Sequence, residues 1–312
     1  MAREKKDRFH LSTDAGTLLR KSIFVGLCCM VAFALIAFGI FKVYAYVEQD
    51  VAYSSEPPKV VLKDRPTWMS DLLAEQICEA ARPPGGHSAL NRDLPKNARI
   101  ALQENMRTNA WIREIRQLKL VYGERPGDTL VLDCEFRAPI ALVKWQDNYY
   151  LVDAEGVILP EKYSDDQISK IVFGRDGKMN IRVVEGVRSE RPAFPGQHWV
   201  GDDLKAALDM IKVLYGKPFT EEIIKVEVAN YEGRDDGREA QIVLYTRRNT
   251  QVRWGRPVAS TDLAEIRPAE KLRKLEQIYA QYSRIDAGEP WIDIRFDRVT
   301  KPAGPTTAAS AR

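Results

Sequence analysis

Histidine and cysteine are scarce in this chain, at three and four residues out of 312. The cysteines (Cys28, Cys29, Cys78, Cys134) form no Cys-x-x-Cys pair, and His10, His87 and His198 stand far apart, so no metal-ligand spacing is present. Also missing are a Gly-x-Ser-x-Gly elbow, a glycine-rich phosphate loop and a His-Glu-x-x-His pair. The enzyme classes marked by those motifs are therefore not indicated. The sequence assigns no catalytic residue, no metal ligand and no cofactor site, and the expectation is a protein that is not an enzyme. Its paired carboxylates (Asp165-Asp166, Asp202-Asp203, Asp235-Asp236) fall at turns or helix starts, where acidic side chains cap and close the backbone. Four cysteines are too few for a disulfide scaffold, and 45% hydrophobic with 29% charged residues excludes a chain disordered throughout.

Net charge is small as well, at +3. Residues 1–21 hold six basic and three acidic side chains, which accounts for all of it; the other 41 basic residues balance 41 acidic ones. A nucleic-acid-binding body is not indicated, because the excess belongs to a tail. Immediately after that tail, residues 22–41 (SIFVGLCCMVAFALIAFGIF) contain no charge at all. Twenty residues rising about 1.5 Å each match the hydrocarbon thickness of a bilayer. Arg20, Lys21 and Lys42 bracket the run, with Tyr44 and Tyr46 at interfacial depth. A buried core helix is rarely apolar on every face, and a signal peptide's apolar region is about 7–15 residues. The reading is an uncleaved anchor over 22–46. Six Lys/Arg precede it and only Lys42 and Lys59 follow in the next twenty residues, which predicts a cytoplasmic N-terminus and about 270 residues outside. Cys28 and Cys29 lie inside the span. Cys78 and Cys134 lie outside, either free or paired in an oxidising compartment.

Beyond the anchor, 47–58 reads as a stalk ending at Pro57-Pro58. Residues 59–62 are β-prone, and Met69, Leu72, Leu73, Ile77 and Ala80 recur at helical spacing up to the Pro83–Gly86 break. A second helix is predicted over 96–108, then strands over 112–122 and 129–136. The order β-α-α-β-β over 59–138 describes a small α+β unit with both helices on one side of its sheet. From 139 to 299 short strands alternate with turn signals: 140–145, 149–152, 157–159, 171–173 and 179–184, with Asp176-Gly177 as a hairpin signal. A helix follows over 202–215 with Leu204, Ala207, Leu208, Ile211 and Leu214 inward. A strand with Ile224, Val226 and Val228 on one side comes next, then strands over 240–246 and 250–254. A long helix from Pro268 precedes a final strand over 291–296, and residues 300–312 are expected to form a disordered tail. In that last strand Trp291, Asp293 and Arg295 are predicted to face one way, and Ile292, Ile294 and Phe296 the other. A strand added last often lies at a sheet edge, open to another chain. The alternative is an ordinary paired strand whose Trp291 is core.

Several stretches resemble one family. Asn109-Ala110-Trp111-Ile112, Asp128-Thr129-Leu130-Val131 and Arg137-Ala138-Pro139-Ile140-Ala141 are similar to the run leaving the POTRA domain of the FtsQ/DivIB family of bacterial cell-division proteins. Ala110 stands where that family usually has proline. Leu151-Val152-Asp153-Ala154-Glu155-Gly156-Val157 resembles its Leu-Val-Asp-x-x-Gly hairpin. Ile292-Asp293-Ile294-Arg295-Phe296 resembles its closing strand, preceded by a Lys-Leu-x-x-Leu stretch at Lys271-Leu272-Arg273-Lys274-Leu275. Loose segments over 83–95 and 188–201 depart from the pattern. The resemblance implies an α+β fold of one transmembrane helix, a POTRA-type domain and a mainly antiparallel β domain with flanking helices. It implies a non-enzymatic scaffold of the inner membrane at the division site. Its partners would be other division membrane proteins of the bitopic coiled-coil type, held at Trp291, Ile292, Asp293, Ile294, Arg295 and Phe296. Two further classes stay open at this stage: a membrane-anchored envelope enzyme and a POTRA-type module in protein export.

Overall fold

The computed structural model describes residues 13–52, 59–82, 104, 106–121, 129–174 and 177–302. Helix α1 (Thr13–Ala52) runs for 40 residues. Within it, residues 23–46 are long and apolar enough to cross a membrane by length and composition, and residues 23–44 are exposed on every face. The helix continues through 47–52, the start of the segment read as a stalk. Residues 1–12, 53–58 and 303–312 lie outside the described residues.

The chain divides into two compact units: Met1–Lys63, Ala74–Leu102 and Leu118–Leu132 in one, and Asp64–Leu73, Gln103–Gln117 and Asp133–Arg312 in the other. A three-stranded sheet is built from β1 (Lys59–Leu62), β2 (Ile112–Val121) and β3 (Thr129–Phe136) in the order β1-β3-β2. β1 runs parallel to β3, with Val60 opposite Leu130. Leu130 and Leu132 are fully buried and alternate with half-buried neighbours, as the sequence pattern requires of a one-sided strand. Helix α2 (Asp71–Ala80) is capped by Ser70, whose Oγ accepts the Leu73 N–H at 3.2 Å. Its inward stripe differs from the reading: Leu72 and Ala80 face solvent, and Ala74 and Ala81 are buried in their place. Of the helix predicted over 96–108, Glu104, Met106 and Arg107 are helical; most of the remainder, like the 123–128 connection, lies outside the described residues.

The second sheet has eight strands. In chain order they are β4 (Pro139–Trp145), β5 (Asn148–Asp153), β6 (Ile158–Ser164), β7 (Arg182–Glu185), β8 (Ile223–Glu227), β9 (Ile242–Thr246), β10 (Gln251–Gly255) and β11 (Trp291–Asp293). Their spatial order is β11-β10-β9-β8-β7-β4-β5-β6. Helices α3 (Asp165–Val172), α4 (Asp202–Leu214) and α5 (Pro268–Tyr282) interrupt them. The fold is thus mixed α+β with an apolar N-terminal helix. The sheet itself is less antiparallel than predicted: β4–β7, β7–β8 and β10–β11 are parallel pairs. Each of these steps needs a crossover, and each crossover carries a helix: α3 before β7, α4 before β8 and α5 before β11.

Two local readings are corrected. Residues 171–172 end helix α3 rather than begin a strand, leaving only a Phe173–Met179 bridge. The helix starts because the Ser164 N–H donates to Gln167 Oε1 at 3.2 Å and two aspartates occupy its first turn. In β8 the inward residues are Ile223, Val226 and Val228, not Ile224, because a bulge between Ile223 and Lys225 shifts the register. Helix α4 packs on β7 and β8 and buries all five residues assigned to its inner face. Full burial of each large side chain there contributes about 1.5–3 kcal/mol.

Candidate interaction site

The edge formed by β11 starts at the preceding helix. Helix α5 stops at Ser283, whose φ of 54° breaks the helical path. Asp286 is then fully buried. It accepts from the Gly288 N–H at 2.9 Å, Thr250 Oγ at 3.2 Å and Arg284 Nη2 at 2.8 Å. Burial alone would raise its carboxyl, but those donors hold it below the usual carboxylate range. Thr250 Oγ also donates to the Glu289 carbonyl at 3.1 Å, so the entry to β11 is tied to the start of β10. From there the register is fixed: Trp291 lies opposite Gln251, Ile292 opposite Val252, and Asp293 opposite Arg253.

The six residues singled out in the sequence do not form one continuous strand. Trp291, Ile292 and Asp293 are β11, the terminal strand in the sheet order, whereas Ile294, Arg295 and Phe296 leave it. Ile292 and Ile294 are buried in the core, and Phe296 is 47% exposed rather than packed beside them. The turn is imposed at Asp293 and Arg295. Asp293 Oδ1 accepts the Arg295 backbone N–H at 3.0 Å, and Arg295 Nη2 donates to Asp293 Oδ2 at 2.7 Å. That pairing raises the guanidinium above its ordinary value. Arg295 Nη1 also donates to the Arg238 carbonyl at 2.7 Å, and the Arg295 carbonyl accepts the Ile266 N–H at 3.0 Å.

Three neighbours escaped the sequence reading. Arg253 lies with its guanidinium 4.6 Å from the Trp291 ring centre, a cation–π pair worth about 0.5–1 kcal/mol at a half-exposed site. Its alternation with buried Val252 and Trp254 is the signal that marks it as outward. Lys274 Nζ donates to the carbonyls of Phe296 and Asp297, both at 2.5 Å. Thr300 bridges antiparallel to Asp293: the Asp293 N–H donates to the Thr300 carbonyl at 2.8 Å, and the Thr300 N–H returns to the Asp293 carbonyl at 3.0 Å. The expectation of a disordered tail from residue 300 is corrected here: Thr300 is ordered by these two backbone bonds, which no pattern in the polar stretch around it announces. Beside the strand, a hollow of about 180 Å³ is lined in part by Glu227, Val243, Gln251 and Arg253. A second, of about 520 Å³, is lined in part by Arg256, Leu263, Ile266 and Lys271.

The carboxylates that a search for catalysis would choose are occupied with the backbone. Asp153 Oδ1 accepts the N–H groups of Glu155 and Val157 at 2.9 and 2.8 Å, and Oδ2 pairs with Arg137 Nη1 at 2.7 Å. Gly156 supplies the positive φ (81°) that closes the turn. Asp203, in the first turn of α4, accepts from the N–H groups of Arg188, Ser189 and Leu204 and from Arg234 Nη1. Asp235 and Asp236 lie in a turn where both N–H groups donate to Asn230 Oδ1 at 2.9 Å. His198 is exposed, and Cys78 and Cys134 are not joined in a disulfide. Burial, with the charge of Asp133 adding, pushes the Cys134 thiol up to about 12, so it is protonated at neutral pH. Among the described residues, no three His, Cys, Asp or Glu side chains converge as metal ligands. No protein-family model matches the chain, and no curated protein matches it.

Proposed function

We propose that this chain is a bitopic, non-enzymatic scaffold of the bacterial cell-division complex, of the FtsQ/DivIB type. Its N-terminus is cytoplasmic, α1 crosses the inner membrane, and a POTRA-type domain and a β domain lie outside at the division site. It holds partner membrane proteins by strand addition beside β11. The observation that carries the reading is the position of β11 at the end of the eight-strand order, in the segment that resembles the family's closing strand. Supporting it, residues 23–46 have the length and composition of a membrane span. Asp153, Gly156 and Arg137, from two of the resembling stretches, also meet in one turn.

The test is in-cell photocrosslinking from positions 291 and 295, with midcell localisation of a tagged copy. The expected result is capture of single-pass division proteins, lost from position 295 in the Trp291→Ala variant and from position 291 in the Arg295→Glu variant. If both variants remain folded and recruit the same membrane partners undiminished, strand addition at this edge is wrong.

A further inference from the structure

The outer side of β11 already has an occupant. In a parallel pair, alternate residues of the edge strand turn their backbone groups away from the neighbour. Here the Ile294 N–H turns inward to the Arg253 carbonyl at 3.3 Å, so the groups of Asp293 turn outward. Both outward groups of Asp293 are bonded to Thr300, in the pattern an added antiparallel strand makes. The segment bringing Thr300 there is held at both ends. Lys274 grips the carbonyls of Phe296 and Asp297, and Lys301 Nζ pairs with Glu289 Oε1 at 2.9 Å. Its hold is nonetheless slight, because residues 296–301 are all exposed and only one residue pair bridges to the strand.

Resting on the assignment of β11 as the docking strand, we infer that residues 297–302 are a built-in competitor: a short pseudo-ligand that covers the edge at Asp293 and must be displaced before a partner strand pairs there. Three features suit a reversible cover. Backbone bonds alone seal the edge, so release unpairs no side chain in the core. The two clamps are lysines on mobile four-carbon stems, one of them on an exposed ion pair of little intrinsic strength. The cover also protects an unpaired edge from non-specific association while no partner is bound. Two ordinary backbone hydrogen bonds, at their usual net worth, correspond to roughly tenfold protection of the Asp293 groups relative to an uncovered edge.

Two versions of the detergent-solubilised protein, both with α1 intact, test this: Thr300→Pro, which removes the N–H donor, and a chain ending at Arg298, which removes Thr300 and Lys301 and leaves Ile292 and Ile294 in place. Amide exchange at Asp293 is compared with that of the parent. In cells, a benzophenone side chain at position 291 reports partner capture in the same backgrounds. The expected result is exchange at Asp293 accelerated about tenfold in the shortened chain, and capture of the membrane partner increased several-fold. Equal exchange in parent and shortened chain overturns the cover itself. Faster exchange with unchanged or reduced capture overturns the competition. Faster exchange with no capture from position 291 in any background instead overturns the assignment of β11 as the docking strand.

Discussion

Asp153 and Asp203 show how a buried carboxylate is used in this protein. Each is at most 4% exposed and accepts from several donors, most of them backbone N–H groups, so its lone pairs are committed to holding a turn or a helix start. Asp153→Ala strips the backbone N–H groups of Glu155 and Val157 of their acceptor and leaves Arg137 without its buried partner. The expected loss is about 3 kcal/mol of unfolding free energy in urea, followed by tryptophan fluorescence. Glu155→Ala, on the half-exposed partner of the same arginine, is expected to cost under about 1 kcal/mol. For Asp203 burial raises the carboxyl, but the donors from Arg188, Ser189, Leu204 and Arg234 together outweigh it and hold it below the usual range. A depressed folded-state value means stability that is present above the unfolded value of about 4 and lost as pH falls through the folded one. Asp203→Asn is therefore expected to be less stable than the parent at pH 7, with the gap closing below about pH 4. Thermal midpoints between pH 2.5 and 7 measure it.

Elements were legible in the sequence wherever one periodicity dominated. Helix α4 buries the five residues its spacing assigned, and β3 buries Leu130 and Leu132. What stayed hidden depends on register and crossovers. The bulge that swaps Ile223 for Ile224 leaves no local pattern, and the parallel pairings of β4–β7 and β7–β8 are set by partners 41 and 42 residues apart. Lys271 falls on the inner face of α5 although its charge argues against it. It is buried because Nζ donates to Glu265 Oε2 at 2.6 Å and to the Trp254 carbonyl at 2.7 Å. At the candidate site, the sequence located the strand, while its end, set by the local Asp293–Arg295 pairing, and the bridge from Asp293 to Thr300 carry no periodic signal. One backbone approach gives a sharp prediction at this scale. Gly186 has φ 80°, and a Cβ there would sit 2.4 Å from the Ala229 nitrogen at the end of β8. Gly186→Ala is expected to cost about 3 kcal/mol or more, because left-handed strain and a backbone clash coincide. The fall in thermal midpoint, read by circular dichroism, checks it.

At the scale of the whole molecule, α1 precedes 260 residues, and residues 23–46 within it have the length and composition to cross a membrane. Ala34 lies near the centre of residues 23–46, so Ala34→Arg places a charge at mid-bilayer at a cost of about 2.5–3.5 kcal/mol on the insertion scale. Alkaline carbonate extraction is expected to keep the parent in the membrane pellet and release a large share of the variant; equal retention would remove α1 as the anchor. The parallel pairing of β11 to β10 has a further consequence, in biosynthesis. Ile292 and Ile294 share one core with Val252 and Trp254 but are made only after α5. The large sheet therefore cannot finish its core while the chain is still being made, and every product stopped before residue 292 leaves those side chains bare to proteases. The last strand thus doubles as a check that synthesis has passed residue 292, and chains stopped short of it are expected to be degraded faster than longer ones.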